Sequence, residues 1–267
     1  MNFTGKAKRL DDIDLPRIAA RIGVGEDEIH AVLDAETSGR GFDAKGRPRM
    51  LFEPHIFWRE LGPGPKRDVA AKKGLAYPTW RRDYPKDSYP RLLSAMSIDK
   101  EAALRSASWG LGQIMGFNCV AAGYPTAEAM VEDFLDDEER HLDAMVTFII
   151  QAKLDGYLRA RDWKGFARSY NGPGFAKNGY DRKLAAAFDR WQKIKDTPYT
   201  PGKIVTEPRI RDVAFSVPGQ REGGQAAKKP ASGAKVGGIG AVIAALAAAA
   251  ALAWAKFGET VNYWMGW

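Results

Sequence analysis

The sequence predicts a mainly α fold with a small β-hairpin lobe, followed by a flexible linker and a hydrophobic C-terminal helix. Three observations predict it. Apolar residues recur at i, i+3, i+4 and i+7 through most of the first 196 residues, the spacing of a helix with one buried face. Turn chemistry interrupts that pattern between Phe42 and Phe52, where Asp43-Ala44-Lys45-Gly46-Arg47-Pro48 stands. Beyond residue 196 the composition shifts twice, first to Pro, Gly and Lys, then to an uncharged Ala-rich run. The 267 residues thus divide into a folded domain (1–196), a linker (197–238) and a hydrophobic segment (239–267).

Taken in order, residues 12–22 predict a first helix burying Leu15, Ile18, Ala19 and Ile22, and residues 26–36 a second burying Ile29, Val32 and Leu33. Residues 49–52 read as one arm of a small hairpin. Pro54 opens a helix that runs to Leu61. The Gly, Pro and Lys of residues 62–85 read as an extended surface loop. Ser88 and Pro90 open a helix to about Arg105. A single long helix is expected over 126–153, with Met130, Phe134, Leu142, Met145, Ile149 and Ile150 inward. Trp163, Phe166, Ala167 and Tyr170 share a face of a short helix broken by Asn171-Gly172-Pro173. Residues 175–195 close the domain, and the spacing of Tyr180, Leu184, Phe188 and Trp191 makes them core rather than a ligand platform. No internal repeat is visible.

Composition bounds the function. The apolar fraction suffices for one core in a domain of this length. The single Cys119 excludes an internal disulfide framework and reads as a small buried hydrophobe, because none of His30, His55 and His141 is placed as its base. No exporting apolar core follows Met1. The net charge of +7 is spread among acids, as in Asp136-Asp137-Glu138-Glu139-Arg140, which argues against a nucleic-acid partner and for a mixed surface that steers the protein toward polyanionic envelopes. No His pair has ligand spacing with a third donor, so neither a metal nor a cofactor is expected.

Chemistry enters at Glu36. It occupies the i+7 position of the stripe Ile29, Val32, Leu33, where a hydrophobe is expected, and Gly39 and Gly41 follow directly. The carboxyl is thereby held inward at a cleft rim, where desolvation keeps it protonated as a general acid requires. The bland alternative is a helix-end Glu leaning into solvent. Downstream, Ser106-Ala107-Ser108-Trp109-Gly110-Leu111-Gly112-Gln113-Ile114-Met115 offers glycines for close backbone approach to a ligand, a flat indole, and an amide suited to sugar hydroxyls or acetamido groups. Tyr170 and Asn171 stand at a helix end facing the same space. A plain Gly-rich turn and a helix stop are the competing explanations.

The order Glu36, Gly110-Leu111-Gly112-Gln113, Tyr170-Asn171-Gly172 resembles the lysozyme-like superfamily of goose-type lysozymes and lytic transglycosylases. The run from Leu10 to about Ile194 is more closely similar to the N-acetylmuramidase family of phage endolysins. Its carriers are Glu36-Thr37-Ser38-Gly39-Arg40-Gly41-Phe42, Gly46-Arg47-Pro48, Leu51-Phe52-Glu53-Pro54-His55-Ile56-Phe57, the run from Ala107 through Asn118, and Tyr170-Asn171-Gly172-Pro173-Gly174. The resemblance implies a lysozyme-like α+β domain, cleavage of the glycan strands of peptidoglycan, and Glu36 as catalytic acid. It also implies that Gln113, Tyr170 and Asn171, with Ser108, line the saccharide cleft of a monomeric catalytic domain. The long interval between Glu36 and Gly110 departs from the transglycosylase pattern. Hydrolysis with Glu53 or Asp43 as second carboxylate is one reading, transglycosylation another, and a non-catalytic wall-binding module of a phage or secretion system a third.

The tail has its own reading. Residues 197–238 are expected to be a disordered linker. Residues 239–255, with Ile239 and Ala255 at the ends, carry no charge, and Lys256, Trp264 and Trp267 follow as interfacial anchors. Membrane association is the expectation. An Ala-rich packing helix is the alternative. Such an enzyme waits in the host cytoplasm or at the inner membrane and acts on the periplasmic wall.

Overall fold

The computed structural model describes residues 1–199, apart from Ser38, Arg82, Pro173 and the side chain of Thr37. The expectations for residues 200–267, including the hydrophobic helix, lie outside the described residues.

The first helix, α1 (Asp14–Ala19), tightens into a 3-10 turn at Ala20–Ile22 and stops at Gly23, whose φ of 69° is left-handed. It is followed by α2 (Glu26–Thr37), with three acids in its first turn against the positive helix end. Ile18, Ile29 and Val32 are fully buried, as their spacing requires.

Residues 41–52 form the β lobe, in which a minimal local hairpin closes around the turn after Phe42, the Asp43 N–H donating to the Arg47 carbonyl at 2.8 Å and the Arg49 N–H to the Gly41 carbonyl at 2.6 Å, while the strand beyond it pairs elsewhere. Phe42 and Pro48 make an isolated bridge, while β1 (Met50–Phe52) pairs antiparallel with the distant β2 (Ala107–Trp109). Then β2 turns into β3 (Ile114–Met115), giving a sheet in the order β1-β2-β3. A second hairpin, which the sequence did not announce, is β2–β3. Three-residue strands carry too little alternation to announce such a partner.

Between β1 and β2 lie α3 (Pro54–Leu61), α4 (Pro65–Lys72), α5 (Tyr89–Met96) and α6 (Lys100–Arg105). The expected loop over 62–85 is thus corrected. Pro65 supplies a helix start, Ala70 is fully buried, and Leu75, Ala76 and Tyr77 fold inward behind it. The expected helix over 88–105 is two. Asp99 ends one and caps the next by accepting from the Ala102 N–H at 2.9 Å, whereas the Ser88 side chain caps nothing.

The same correction holds for residues 126–153. Thr126 caps α7 (Ala127–Phe134), and Asp137, accepting from Glu139 N–H at 2.9 Å, caps α8 (Glu138–Gln151). Leu142, Met145, Val146 and Ile149 place α8 in the core, and α1 and α7 pack on it. Three shorter helices lead on: α9 (Asp155–Arg159), α10 (Trp163–Tyr170) and α11 (Phe175–Asn178). Gly179, at φ 66°, separates α11 from α12 (Tyr180–Trp191), so residues 175–195 also form two helices rather than one. Tyr180, Leu184 and Phe188 are buried as predicted; Trp191 is half-buried. Cys119 is a buried free thiol.

Candidate active site

Glu36 lies in the last turn of α2, and α12 runs antiparallel along that helix. Glu26 accepts from the Thr197 N–H at 2.6 Å, and His30 stacks on Trp191 at 3.6 Å. Asp34 accepts from Trp191 Nε1 and Arg190 at 2.9 and 3.0 Å. This register leaves the first turn of α12, with Tyr180 and Lys183, beside Glu36. Burial pushes the Glu36 carboxyl up to about 7, against the opposing pull of the Asn171 amide and the Lys183 ammonium. At neutral pH a large share of it therefore carries a proton.

Asn171 reaches Glu36 from the end of α10. Asp162 caps that helix through the Gly165 N–H at 2.8 Å, and a Cβ on Gly165 would stand 2.3 Å from the Asp162 carboxylate. Tyr170 is fixed by Phe166, stacked at 5.1 Å, and by the edge of Phe148 at 5.8 Å. Its hydroxyl donates to the Gly112 carbonyl at 3.1 Å. Asn171 Nδ2 donates to Glu36 Oε1 at 2.8 Å, while Asn171 Oδ1 is buried with no partner among the described residues. Tyr170 and Asn171 thus join the acid-bearing helix to the β2–β3 turn. A buried acceptor left open beside an acid costs free energy unless a ligand supplies the donor.

In that turn, Ser108 Oγ donates to Gln113 Oε1 at 2.9 Å, and Gln113 Nε2 donates to the Gly110 carbonyl at 2.8 Å. Ser108 is buried, and Gln113 holds a left-handed φ of 46°. Two expectations are corrected here. The glycines serve close approach to α8: a Cβ on Gly110 would stand 2.8 Å from the His141 ring, and one on Gly112 would stand 2.8 Å from Met145. Trp109 is no platform, being wholly buried with Nε1 donating to the Leu104 carbonyl at 3.1 Å.

The candidate second carboxylates are both engaged. Burial raises Asp43, but the Arg47 side chain and the N–H groups of Arg47 and Lys45 outweigh it and hold the group below its ordinary value. Glu53 has no exposed surface; Tyr84 donates to its Oε2, and burial raises it despite His55 and Tyr84. His55 Nδ1 stands 3.3 Å from the same oxygen, and neither of its buried ring nitrogens has a hydrogen-bond partner among the described residues.

Sequence reasoning missed two supports of this region. Glu138, buried on α8, accepts from Gly41 N–H at 2.7 Å and from Arg9 at 2.9 Å, tying the β lobe to the helices. His141, one turn on, is held down to about 4 by burial, which its bond to the Phe134 carbonyl opposes, so it is neutral. Both sit under Gly41 or Gly110, and only that glycine spacing hinted at them. Lys183 was also missed, its signal being the i, i+3 spacing from Tyr180. Among the described residues no group of three or more His, Cys, Asp or Glu is placed to hold a metal.

Comparison with known proteins meets this geometry. The chain is similar to the crystal structure of the Burkholderia AP3 phage endolysin at 39% identity and a TM-score of 0.63, over 70% of this chain and 73% of that one. No match is found among curated proteins. The family model for N-acetylmuramidase matches residues 26–192, a span that begins with the helix of Glu36 and ends with the helix packed against it. The chain belongs to the N-acetylmuramidase family, glycoside hydrolases that act on peptidoglycan.

Proposed function

We propose that this protein is an endolysin-type muramidase that hydrolyses the bond between N-acetylmuramic acid and N-acetylglucosamine, with Glu36 as general acid and host-cell lysis as its purpose. One observation carries the reading. The Glu36 carboxyl is protonated to about pH 7, so it has a proton to give to the glycosidic oxygen under neutral conditions. Asn171 donating to Oε1 leaves Oε2 as the oxygen that holds the proton. The glycosidic C–O bond breaks as that proton passes to the leaving oxygen; water then adds its oxygen to the muramic acid carbon and gives up a proton to solvent, from which Glu36 is reprotonated. Ser108, Gln113, Tyr170 and Asn171 line the saccharide cleft in this reading. The open Oδ1 of Asn171 takes a substrate N–H or O–H.

A second reading has its own support. Asp43 is locked by Arg47 and Glu53 is shut from solvent, so neither stands ready as the base an inverting hydrolase needs. An enzyme with the acid alone is suited to intramolecular attack by the muramic acid C6 hydroxyl, the transglycosylase outcome. Mass spectrometry of digested murein decides between them. Reducing-end muramic acid is expected, and chiefly 1,6-anhydro products would replace hydrolysis with transglycosylation.

For the tail, we propose that residues 239–255 bind a membrane while the catalytic domain stays monomeric and soluble, waiting on the cytoplasmic side or at the inner membrane. Removal of residues 238–267 is expected to shift the protein from the membrane to the soluble fraction without loss of murein cleavage. A full-length protein that binds no liposomes would refute this.

A further inference from the structure

The sheet face that carries Ser108 continues beyond the candidate site to an aromatic strap. In β1 and β2 the core side is taken by Phe52, Ala107 and Trp109, all fully buried in the hydrophobic core. Alternation therefore sends Leu51, its strand partner Ser108 and Glu53 to the opposite face. Glu53 keeps an extended backbone and its N–H still bonds across to Ser106, so the alternation holds through it. Two residues along one strand and one strand across, Glu53 stands about 8 Å from Ser108. At that end Tyr84 donates to Glu53 Oε2, and the Trp80 ring lies 6.2 Å from the Tyr84 ring at an angle of 53°. The strap is pinned on the way: the Tyr77 hydroxyl donates to Asp83 at 2.6 Å, and Arg91 donates to the Asp83 carbonyl at 3.3 Å.

These two rings differ from other partly exposed aromatics. Trp58, Tyr124, Trp163 and Tyr170 pack on the hydrophobic core, whereas Trp80 and Tyr84 lie outside it, in a loop with exposed Thr79, Arg81 and Asp83. What holds Tyr84 is costly. Glu53 is wholly buried, its Oε1 has no partner among the described residues, and neither ring nitrogen of neighbouring His55 has one. A buried carboxylate with an open oxygen lowers stability, so a strap that only covered the sheet would be held better by apolar packing. We propose that Trp80 and Tyr84 form a saccharide subsite, stacking on a sugar ring remote from the cleaved bond, with Glu53 as the positioning residue that fixes the Tyr84 ring. The inference rests on the proposed cleavage of glycan strands at Glu36. The path between the two is continuous: Asn171 bonds to Glu36, adjacent Tyr170 to Gly112, adjacent Gln113 to Ser108, and Ser108 stands opposite Leu51 on the strand of Glu53. Leu51 is partly exposed, so this row is open between its ends. Flat, partly exposed rings with a polar edge suit a sugar, which presents apolar C–H faces and a rim of hydroxyls.

The test uses the full chain and amidase-stripped glycan, so that no peptide contributes, with kcat/KM measured on a tetrasaccharide and on a dodecasaccharide. The readout is the ratio of the long-strand value to the short-strand value. Both strands meet the same folded fraction, so a partly unfolded variant does not move it. Trp80→Ala and Trp80→Leu should each lower the ratio about tenfold, with the loss in KM, and Trp80→Phe should keep most of it. Tyr84→Phe retains the ring and drops the bond to Glu53, and should lower the ratio about threefold. Glu53→Leu should match that fall, while Glu53→Gln, which keeps an acceptor oxygen for the hydroxyl, should restore the ratio. A wild-type ratio in Trp80→Leu overturns the subsite. A wild-type ratio in both Tyr84→Phe and Glu53→Leu overturns the positioning role. A Glu36→Gln variant that still cuts either strand would instead overturn the acid assignment and leave the Trp80 comparison readable.

Discussion

Replacing Glu36 with glutamine separates what the acid does for chemistry from what it costs the fold. The glutamine keeps the size of the side chain and the oxygen that accepts from Asn171 at 2.8 Å, but it has no proton to donate. Loss of general-acid help lowers the rate by roughly 10² to 10⁴. Stability moves the other way. Folding raises this carboxyl from 4.5 to about 7. Below pH 4.5 both folded and unfolded chains hold the proton, and the wild type has its full stability. As pH rises through 4.5 to 7 the unfolded chain ionises first, so the folded state loses stability, and the loss is complete above the folded value. At one pK unit per 1.36 kcal/mol the difference is about 3 kcal/mol, which in a domain of this size shifts Tm by roughly 6–12 °C. Melting curves of both proteins at pH 4.5, 6 and 8 test it. Glu36→Gln should melt with the wild type at the lowest pH and well above it at the highest. A Tm difference that is the same at all three, or a glutamine variant less stable at pH 8, refutes the burial argument.

The remaining predictions concern the groups around that carboxyl. Asn171→Ala removes a donor that favours the ionised form, so the alkaline limb of the kcat/KM profile, near pH 7 in the wild type, should move upward while kcat falls; a downward shift would contradict the contact. Buried neutral His141 acts in the opposite sense: its folded value near 4 lies below 6.5, so stability should fall as pH drops through 6.5 toward 4, by about 3 kcal/mol, and denaturant titrations of His141→Gln should lack that component. Gly110→Ala places a methyl 2.8 Å from the His141 ring at a φ of 69°, and about 2–4 kcal/mol of stability should be lost in denaturant titration. Glu138→Gln keeps one acceptor oxygen but turns an amide NH2 toward either the Gly41 N–H or Arg9 and removes the charge that Arg9 pairs with, a cost of about 1–3 kcal/mol read the same way.

Much of this architecture was legible where one periodic face met one core. The helices at Asp14–Ala19, Glu26–Thr37, Pro54–Leu61 and Trp163–Tyr170 follow from apolar spacing or, for the third, from Pro at its start. Glu36 announced itself because a carboxylate in an apolar stripe is anomalous. What failed to show was punctuation and distance. Asp99, Asp137 and Gly179 each divide one apparent helix into two, yet each also reads as an ordinary helix residue or a tolerated glycine. Helix α4 was hidden because Lys and Gly dominate its neighbourhood and Ala70 alone marks its buried side. The roles of Gly110 and Trp109 were inverted for a related reason: small and flat residues fit a ligand and a neighbouring helix equally well, and only the position of α8 decides.

The neck between β1 and β2 has a consequence for how the molecule can be rebuilt. Phe52 is paired with Ala107, and the Glu53 N–H bonds to the Ser106 carbonyl at 2.9 Å, so the chain leaves the sheet and re-enters it at one point. Everything from α3 to α6 is an excursion from that gate. Loop closure would add only a logarithmic cost to a change of length there, but Phe57, Leu92 and Leu104 of this excursion are fully buried in the core, so any replacement must supply apolar equivalents as well as the same end-to-end span. A replacement that met both demands would leave the register of β1 on β2 intact and so would not move Glu36.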